Sequence, residues 1–124
     1  MPQVDASFTY AHTLCGHEYA NNEDLEKAVQ SFRLSLLHDD RHYNAWYGLG
    51  SIFYRQEKYE MAEYHFRRAL NINAASSVLR CYLSMSLHAQ SNEGKSIEAL
   101  DVLAQACKVD PKNPQLHYQV RGSR

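Results

Sequence analysis

No run of apolar residues in this sequence approaches the ~20 that a helix needs to span a bilayer, so no membrane segment is expected. The first residues, Met1-Pro2-Gln3-Val4-Asp5, lack both a charged n-region and an apolar h-region, and no secretory signal is read there. An excess of one charge is also missing. The formal net charge of −1 supplies neither a basic field for nucleic acid nor an acidic tail. Cysteine is scarce: Cys15, Cys81 and Cys107 are an odd count of three without framework spacing, which suits a reducing compartment. Seven histidines invite a metal reading, yet no paired spacing such as C-x2-C or H-x3-H occurs. Cys15 and His17 would point to different faces of a helix, and Cys81 with His88 has no second ligand pair nearby. The Gly48-Leu49-Gly50 fragment falls inside a predicted helix, not after a strand, so it is not read as a phosphate loop. With no carboxylate dyad or nucleophile elbow either, the expectation is a protein without catalytic residues, metal, cofactor or small-molecule substrate. At 124 residues, 44% hydrophobic and 22% charged, the chain reads as about one soluble domain of the cytosol or nucleus.

What the sequence does hold is a period. Gly16 and Gly50 are 34 residues apart, as are Tyr19 and Phe53, Ala28 and Ala62, Phe32 and Phe66, and Ser35 and Ala69. Small residues and aromatics recurring at that step mark a tetratricopeptide repeat, a helix–turn–helix unit that stacks into a solenoid. The expected fold is all-α, an α-solenoid of antiparallel helix pairs with about three repeats and the start of a fourth. Such a unit carries no chemistry of its own. Its surfaces are where function would lie.

With Tyr43 as first position, the middle repeat supplies Trp46, Leu49, Gly50, Phe53, Ala62, Phe66 and Ala69, with Ala74 in place of the usual proline. Its helices are predicted over about 44–55 and 59–72. Gly50 and Ala62 are placed where the two helices approach closely, and Trp46, Phe53 and Phe66 fill the space between helices. Glu63, four residues before Arg67, adds an exposed pair. Thirty-four residues earlier come His12, Cys15, Gly16, Tyr19, Ala28, Phe32 and Ser35. Cys15 then takes a core position as a small hydrophobe, and the turn Asn21-Asn22-Glu23-Asp24 offers caps. In the third repeat Leu83, Ser84 and Leu87 fall in place, but Ala99, Leu103, Ala106 and Pro111 fit only after three added residues. The polar stretch 91–95 is the predicted loop for that addition. The expected divisions are 1–8 (the close of a preceding repeat, or a tail), 9–42, 43–76, 77–113 and 114–124. In the last, Asn113-Pro114 reads as N-cap and first helical residue of a truncated fourth repeat.

In a solenoid of this kind the first helix of each pair lines the concave groove, at repeat positions 2, 5, 9 and 12. The groove candidates are Tyr10, Thr13, His17 and Ala20; Asn44, Tyr47, Ser51 and Tyr54; and Val78, Cys81, Met85 and His88. Tyrosines with Asn and His suit an extended peptide, although Tyr47 and Tyr54 serve equally well as packing between neighbouring helices. Thr13, His17, Asn44 and Tyr47 do not supply the cationic set with which co-chaperone members of the superfamily clamp a peptide carboxylate.

The run Arg41-His42-Tyr43-Asn44-Ala45-Trp46-Tyr47-Gly48-Leu49-Gly50, with Tyr54-Arg55-Gln56-Glu57-Lys58 after it, is more specific than the generic repeat. It resembles subunit three of the anaphase-promoting complex (cyclosome), a tetratricopeptide scaffold of that ubiquitin ligase. Tyr10-Ala11-His12-Thr13-Leu14-Cys15-Gly16-His17-Glu18-Tyr19, Ser76-Ser77-Val78-Leu79 and Asp110-Pro111-Lys112-Asn113-Pro114 are similar to the same family. Subunit eight shares the run around Trp46, while His42, Asn44 and Gln56-Glu57-Lys58 lean toward subunit three. Ala6 and Ala74 depart from the family pattern at positions where proline is expected. The resemblance implies a role in the nucleus and cytoplasm, in cell division and mitosis, with other ligase subunits and a coactivator's carboxyl-terminal Ile-Arg tail as partners. It matches the family's carboxyl-terminal repeats, whose groove receives that tail; its amino-terminal repeats dimerise. A stand-alone adaptor for an unrelated peptide and a truncated copy without stable function stay open as alternatives.

The register makes Ala62 a close contact between helices. Ala62→Phe should overpack it and cost about 1–3 kcal/mol, read as a fall in the denaturant midpoint; a neutral substitution would move the close approach elsewhere.

Overall fold

The computed structural model describes residues 6–109, so Pro111, the Asn113-Pro114 helix start and the segment 114–124 lie outside the described residues, as do residues 1–5. Among the described residues there are six α-helices and no strand: α1 (Ala6–Asn21), α2 (Leu25–His38), α3 (Tyr43–Arg55), α4 (Tyr59–Ile72), α5 (Ser77–Ala89) and α6 (Glu93–Val109). Each odd-numbered helix packs on the one that follows it, and α2 on α3 and α4 on α5 join the pairs. This is the all-α solenoid of helix pairs that the period predicts.

Local chemistry starts and stops these helices at a regular step. The Asp24 side chain accepts from the Lys27 N–H at 3.4 Å at the start of α2, and Ser76 Oγ accepts from the Leu79 N–H at 3.1 Å at the start of α5. After α1, α3 and α5 a single residue turns left-handed: Glu23 at φ 63°, Glu57 at 61° and Ser91 at 56°. They are spaced by the repeat period. In the first two turns the residue after it donates its N–H back to the last turn of the helix, Asp24 to Tyr19 O and Lys58 to Phe53 O, each at 2.8 Å. The regular position of Ser91 corrects the expected loop insertion. Helix α6 has 17 residues against 14 in α4, so the three added residues extend a helix, and Glu93, Gly94 and Lys95 are helical.

A shared ring sets the packing. Phe32 of α2 is fully buried between two glycines on different helices. A methyl group on Gly16 of α1 would lie 2.7 Å from Phe32 Cε1, and one on Gly48 of α3 would lie 2.4 Å from its Cζ. Both approaches are closer than carbon atoms tolerate, so only glycine fits on either side. Phe66 of α4 repeats half of this arrangement against Gly50, where a methyl group would lie 2.7 Å from its Cε1. On its other side it meets Tyr82, a ring stacked at 5.5 Å. Ala28, Leu49, Ala62, Ala69 and Leu87 are buried with these rings, as are Phe53, Leu83 and Ala99, while Leu103 is buried in a second cluster.

Two members of the expected packing set are less buried than the register implies, and Cys15 is exposed. Ala11, Leu14, Cys15 and Glu18 of α1 are all exposed, whereas their counterparts Ala45, Gly48, Leu49 and Ile52 of α3 are all buried. In α5 the counterparts Leu79, Leu83 and Ser86 are buried too. This face is covered by α2 in the one case and α4 in the other, and no described helix covers it on α1. Tyr19, expected in the packing set, is 36% exposed for the same reason, with the Lys27 ammonium 5.9 Å from its ring centre. Trp46 is half-buried, not enclosed. Its Nε1–H donates to Asp40 O at 2.9 Å, and the Arg68 guanidinium lies 4.4 Å over its ring. The residue one period on, Arg80, donates in the same way to Ala74 O. Both side chains pin the turn between pairs, which at Ala74 lacks the stiffening of proline.

Polar contacts tie α4 to the third pair. Glu63 Oε2 accepts from Arg67 at 2.9 Å, Glu63 Oε1 from Lys95 at 3.0 Å and from Gln90 at 2.8 Å, while Arg67 also reaches Glu98 at 2.7 Å. The pair read as exposed is thus the hub of a network, and Glu63 is its sheltered member. Burial alone would raise the Glu63 carboxyl; the hydrogen bonds from Gln90, Lys95 and Arg67 outweigh it and hold the group below its usual range.

Phe32→Ala should cost about 3–5 kcal/mol, since it empties two helix contacts at once. Gly48→Ala should cost about 1–3 kcal/mol through overpacking. Chemical denaturation measures both, and the double variant should lose less than the sum, because a smaller residue 32 makes room for the new methyl group.

Candidate functional site

The groove candidates divide into those that meet and those that do not. His17 of α1 and Tyr47 and Ser51 of α3 line one cavity of about 160 Å³, together with Ala20, Asn21, Phe32, Gly48, Ile52 and Arg55. The small residues at 48 and 51 open this space; one period on, α5 carries the larger Tyr82 and Met85. Asn44 is half-buried on the same helix. Tyr10 is exposed and lines a separate cavity of about 400 Å³ with Ser7, Thr9, Asp39 and His42. Val78 and His88 are exposed on α5 and Met85 is half-buried, none of them in the cavity of His17.

Two expected groove positions are interior. Thr13 is buried, and its hydroxyl bonds Thr9 O at 3.1 Å and Ser35 Oγ at 2.6 Å, which commits it to the α1–α2 contact. Cys81 is buried with Leu103 and Ala106. Burial, and then the neighbouring Cys107, push its thiol up to about 11, far from a reactive thiolate. Both residues sit at repeat position 5, on the boundary between the groove and the following helix, and there the short side chain turns inward.

The tyrosines pack as well as line. The Tyr47 ring lies 6.3 Å from Phe66 and 5.4 Å from Tyr82, joining three helices. A hydrogen bond to Tyr47, with burial second, pushes the Tyr82 hydroxyl up to about 12. Tyr54 meets Tyr59 at 5.2 Å. Burial, with Tyr59 adding to it, raises its hydroxyl.

The cavity of His17 has mixed walls. The His17 imidazole stands edge-on to Phe32 at 4.9 Å. Burial lowers its pKa from the ordinary 6.5, and the charge of His42 lowers it further, so the environment favours the neutral ring. Ser51 Oγ is buried with no hydrogen-bond partner among the described residues. The Arg55 guanidinium donates from Nη1 to Ala20 O at 3.2 Å, bridging the ends of α3 and α1. Sequence reasoning missed Arg55, which lies outside the expected groove positions, and Gly48, which has no glycine counterpart at the repeat step. Among the described residues no three His, Cys, Asp or Glu gather as metal ligands, and no helix is long and apolar enough to cross a membrane.

Paired helices at a 34-residue step with glycine–phenylalanine contacts define a tetratricopeptide-repeat array. The Tetratricopeptide repeat family model matches residues 43–74. The fold superposes on the first such domain of Spaghetti (RPAP3), bound to the HSP90 peptide SRMEEVD, with a TM-score of 0.89 over 99% of this chain and 95% of that one. Sequence identity there is 16%, a likeness of fold alone. Sequence likeness is greater elsewhere: the chain is 53% identical over 94% of its length to cell division cycle protein 27 homolog B of Arabidopsis thaliana. It is 42% identical over 94% of its length to anaphase-promoting complex subunit 3 of Schizosaccharomyces pombe. The curated homologues of these repeats are thus anaphase-promoting complex subunit 3 and cell division cycle protein 27. The chain spans 15% and 17% of the lengths of those two relatives.

The two shielded histidines set a pH dependence. His65 of α4 is buried among Trp46, Phe53 and Tyr64, with Nδ1 2.8 Å from Met61 O. Burial is the largest cause of its lowered pKa, and the Arg33 and Arg68 charges act the same way. A depressed histidine pKa contributes stability above the unfolded value of 6.5 that is lost as the pH falls through the folded value. The denaturation midpoint should therefore drop between pH 7.5 and 5.5, and His17→Gln with His65→Asn should flatten the drop; an unchanged slope would contradict both placements.

Proposed function

We propose that this chain is a non-catalytic scaffold that acts within the anaphase-promoting complex, holding other subunits or the carboxyl-terminal tail of a coactivator and so supporting ubiquitination and cell-cycle progression. The observation that carries this reading is the 53% identity, sustained over 94% of the chain, to cell division cycle protein 27 homolog B. The repeat divisions at 42/43 and 76/77 are part of the proposal, as is work in the nucleus and cytoplasm. The groove of α1, α3 and α5 is the proposed docking face, with His17, Tyr47 and Ser51 at its cavity and Asn44, Tyr54, Val78, Met85 and His88 along it. Tyr10 extends it at the α1 end. Exposed Tyr10 and half-buried Tyr47 and Tyr54 there offer apolar area and a hydroxyl without long flexible side chains to order.

A free-standing peptide adaptor is the second reading. The Spaghetti domain favours it, because a peptide-bound domain of nearly the same extent, 95% covered, shares this fold. Affinity capture of the folded, tagged chain from dividing-cell extract separates the two. Recovery of named ligase subunits by mass spectrometry is expected, together with fluorescence-polarisation binding of a peptide ending in Ile-Arg. A folded chain that recovers none of those subunits, yet binds a peptide, would shift the assignment to the adaptor.

A further inference from the structure

The cavity between α1 and α3 is uneven in its chemistry. Phe32 and Ile52 give it an apolar side, while Asn21, Ser51, His17 and Arg55 give it hydrogen-bonding groups. No carboxylate lines it, and Arg55 is its one permanently cationic side chain. One Arg55 N–H is used on Ala20 O at 3.2 Å, out of the five that a guanidinium carries. Ser51 Oγ is buried without a partner among the described residues, although a helical serine ordinarily turns to the carbonyl four residues back. At about 160 Å³ the space is roughly five times the ~30 Å³ share of one water, ample for a carboxylate and its methylene.

We propose that this cavity binds a carboxylate of the docked peptide, with Arg55 as counter-charge and the Ser51 hydroxyl and Asn21 amide as hydrogen-bond donors. This rests on the peptide-groove reading above and specifies which group of the peptide anchors it. The lining rejects an arginine side chain, which would bring a second cation beside Arg55 with no acid to pair it. A tail ending in arginine would therefore enter by its terminal carboxylate. An acidic side chain within a peptide presents the same chemistry. The site differs from the superfamily's clamp in taking its cation from position 13 of α3, just past the groove positions, with Ser51 at groove position 9 beside it.

Nuclear magnetic resonance titration of the full ¹⁵N-labelled chain tests this without any particular partner. The probes are N-acetylglycine, a terminal carboxylate; N-acetylaspartic acid α-amide, a side-chain carboxylate; and N-acetylglycinamide, which has neither. Saturable shifts at the amides of Asn21, Ser51 and Arg55 are expected with one or both acids and not with the amide, and the stronger acid identifies the source. Arg55→Gln should weaken binding about tenfold or more, and Arg55→Lys only a few-fold, as a hydrogen-bonded charge requires. Because Arg55 also joins α1 to α3, Ser51→Ala serves as a second variant and should weaken binding several-fold while the circular dichroism melt is unchanged. Equal shifts with the neutral amide, no saturable shift at these residues, or full binding by Ser51→Ala and a folded Arg55→Gln would each overturn the proposal. Capture of ligase subunits reports on the scaffold reading separately, so either can fail alone.

Discussion

One buried phenylalanine ring fixes the geometry of the first two helix pairs. Phe32 touches the backbone of α1 at Gly16 and of α3 at Gly48, so the spacing within a pair and the spacing between pairs are set by the same six carbon atoms. Aromatic burial of this size is among the larger single contributions a small array can draw on. The second ring, Phe66, is braced differently. It rests on Gly50 within its pair but on the Tyr82 ring toward the next, and Tyr47 closes the cluster from α3. Two junctions with the same period thus differ in filling: ring against glycine at the first, ring against ring at the second.

That difference places the candidate site. Where the junction is glycine-filled, α3 presents Gly48 and Ser51 to the groove, and a cavity remains beside Phe32. Arg55 at the end of the same helix reaches back to α1 and puts a cation at the rim. The proposed docking face is therefore not uniform. It has a polar cavity between α1 and α3, and between α3 and α5 the Tyr47 and Tyr82 rings meet instead.

Much of the fold was legible because its determinants repeat. Gly16 and Gly50, Phe32 and Phe66, and Ala28 and Ala62 recur at one step, and the helices they imply are where the period puts them. What escaped the period was whatever depends on one junction only. Gly48 corresponds to Leu14 and Tyr82, so nothing in the repeat marks it as a contact. Cys15 shares a register position with buried Leu49, but burial is a property of the neighbouring helix and not of the position. The glycine in the polar stretch 91–95 reads as loop, yet the left-handed residue at Ser91 closes the turn first and the stretch coils into α6. Of the site, His17, Tyr47 and Ser51 were accessible from groove positions. Arg55 was not, since its role depends on how far a long side chain reaches across to another helix.

The turns within the pairs carry a cost of their own. Glu23, Glu57 and Ser91 hold a backbone conformation that is unfavourable by roughly 1–2 kcal/mol for a residue with a side chain, and glycine avoids that cost. All three are exposed and none belongs to the core or to the cavity of His17. The array thus operates below the stability its helices could deliver, with the shortfall confined to its loops. For a protein engineer the consequence is a set of three positions, one per turn, at which rigidity can be adjusted without altering a single groove contact.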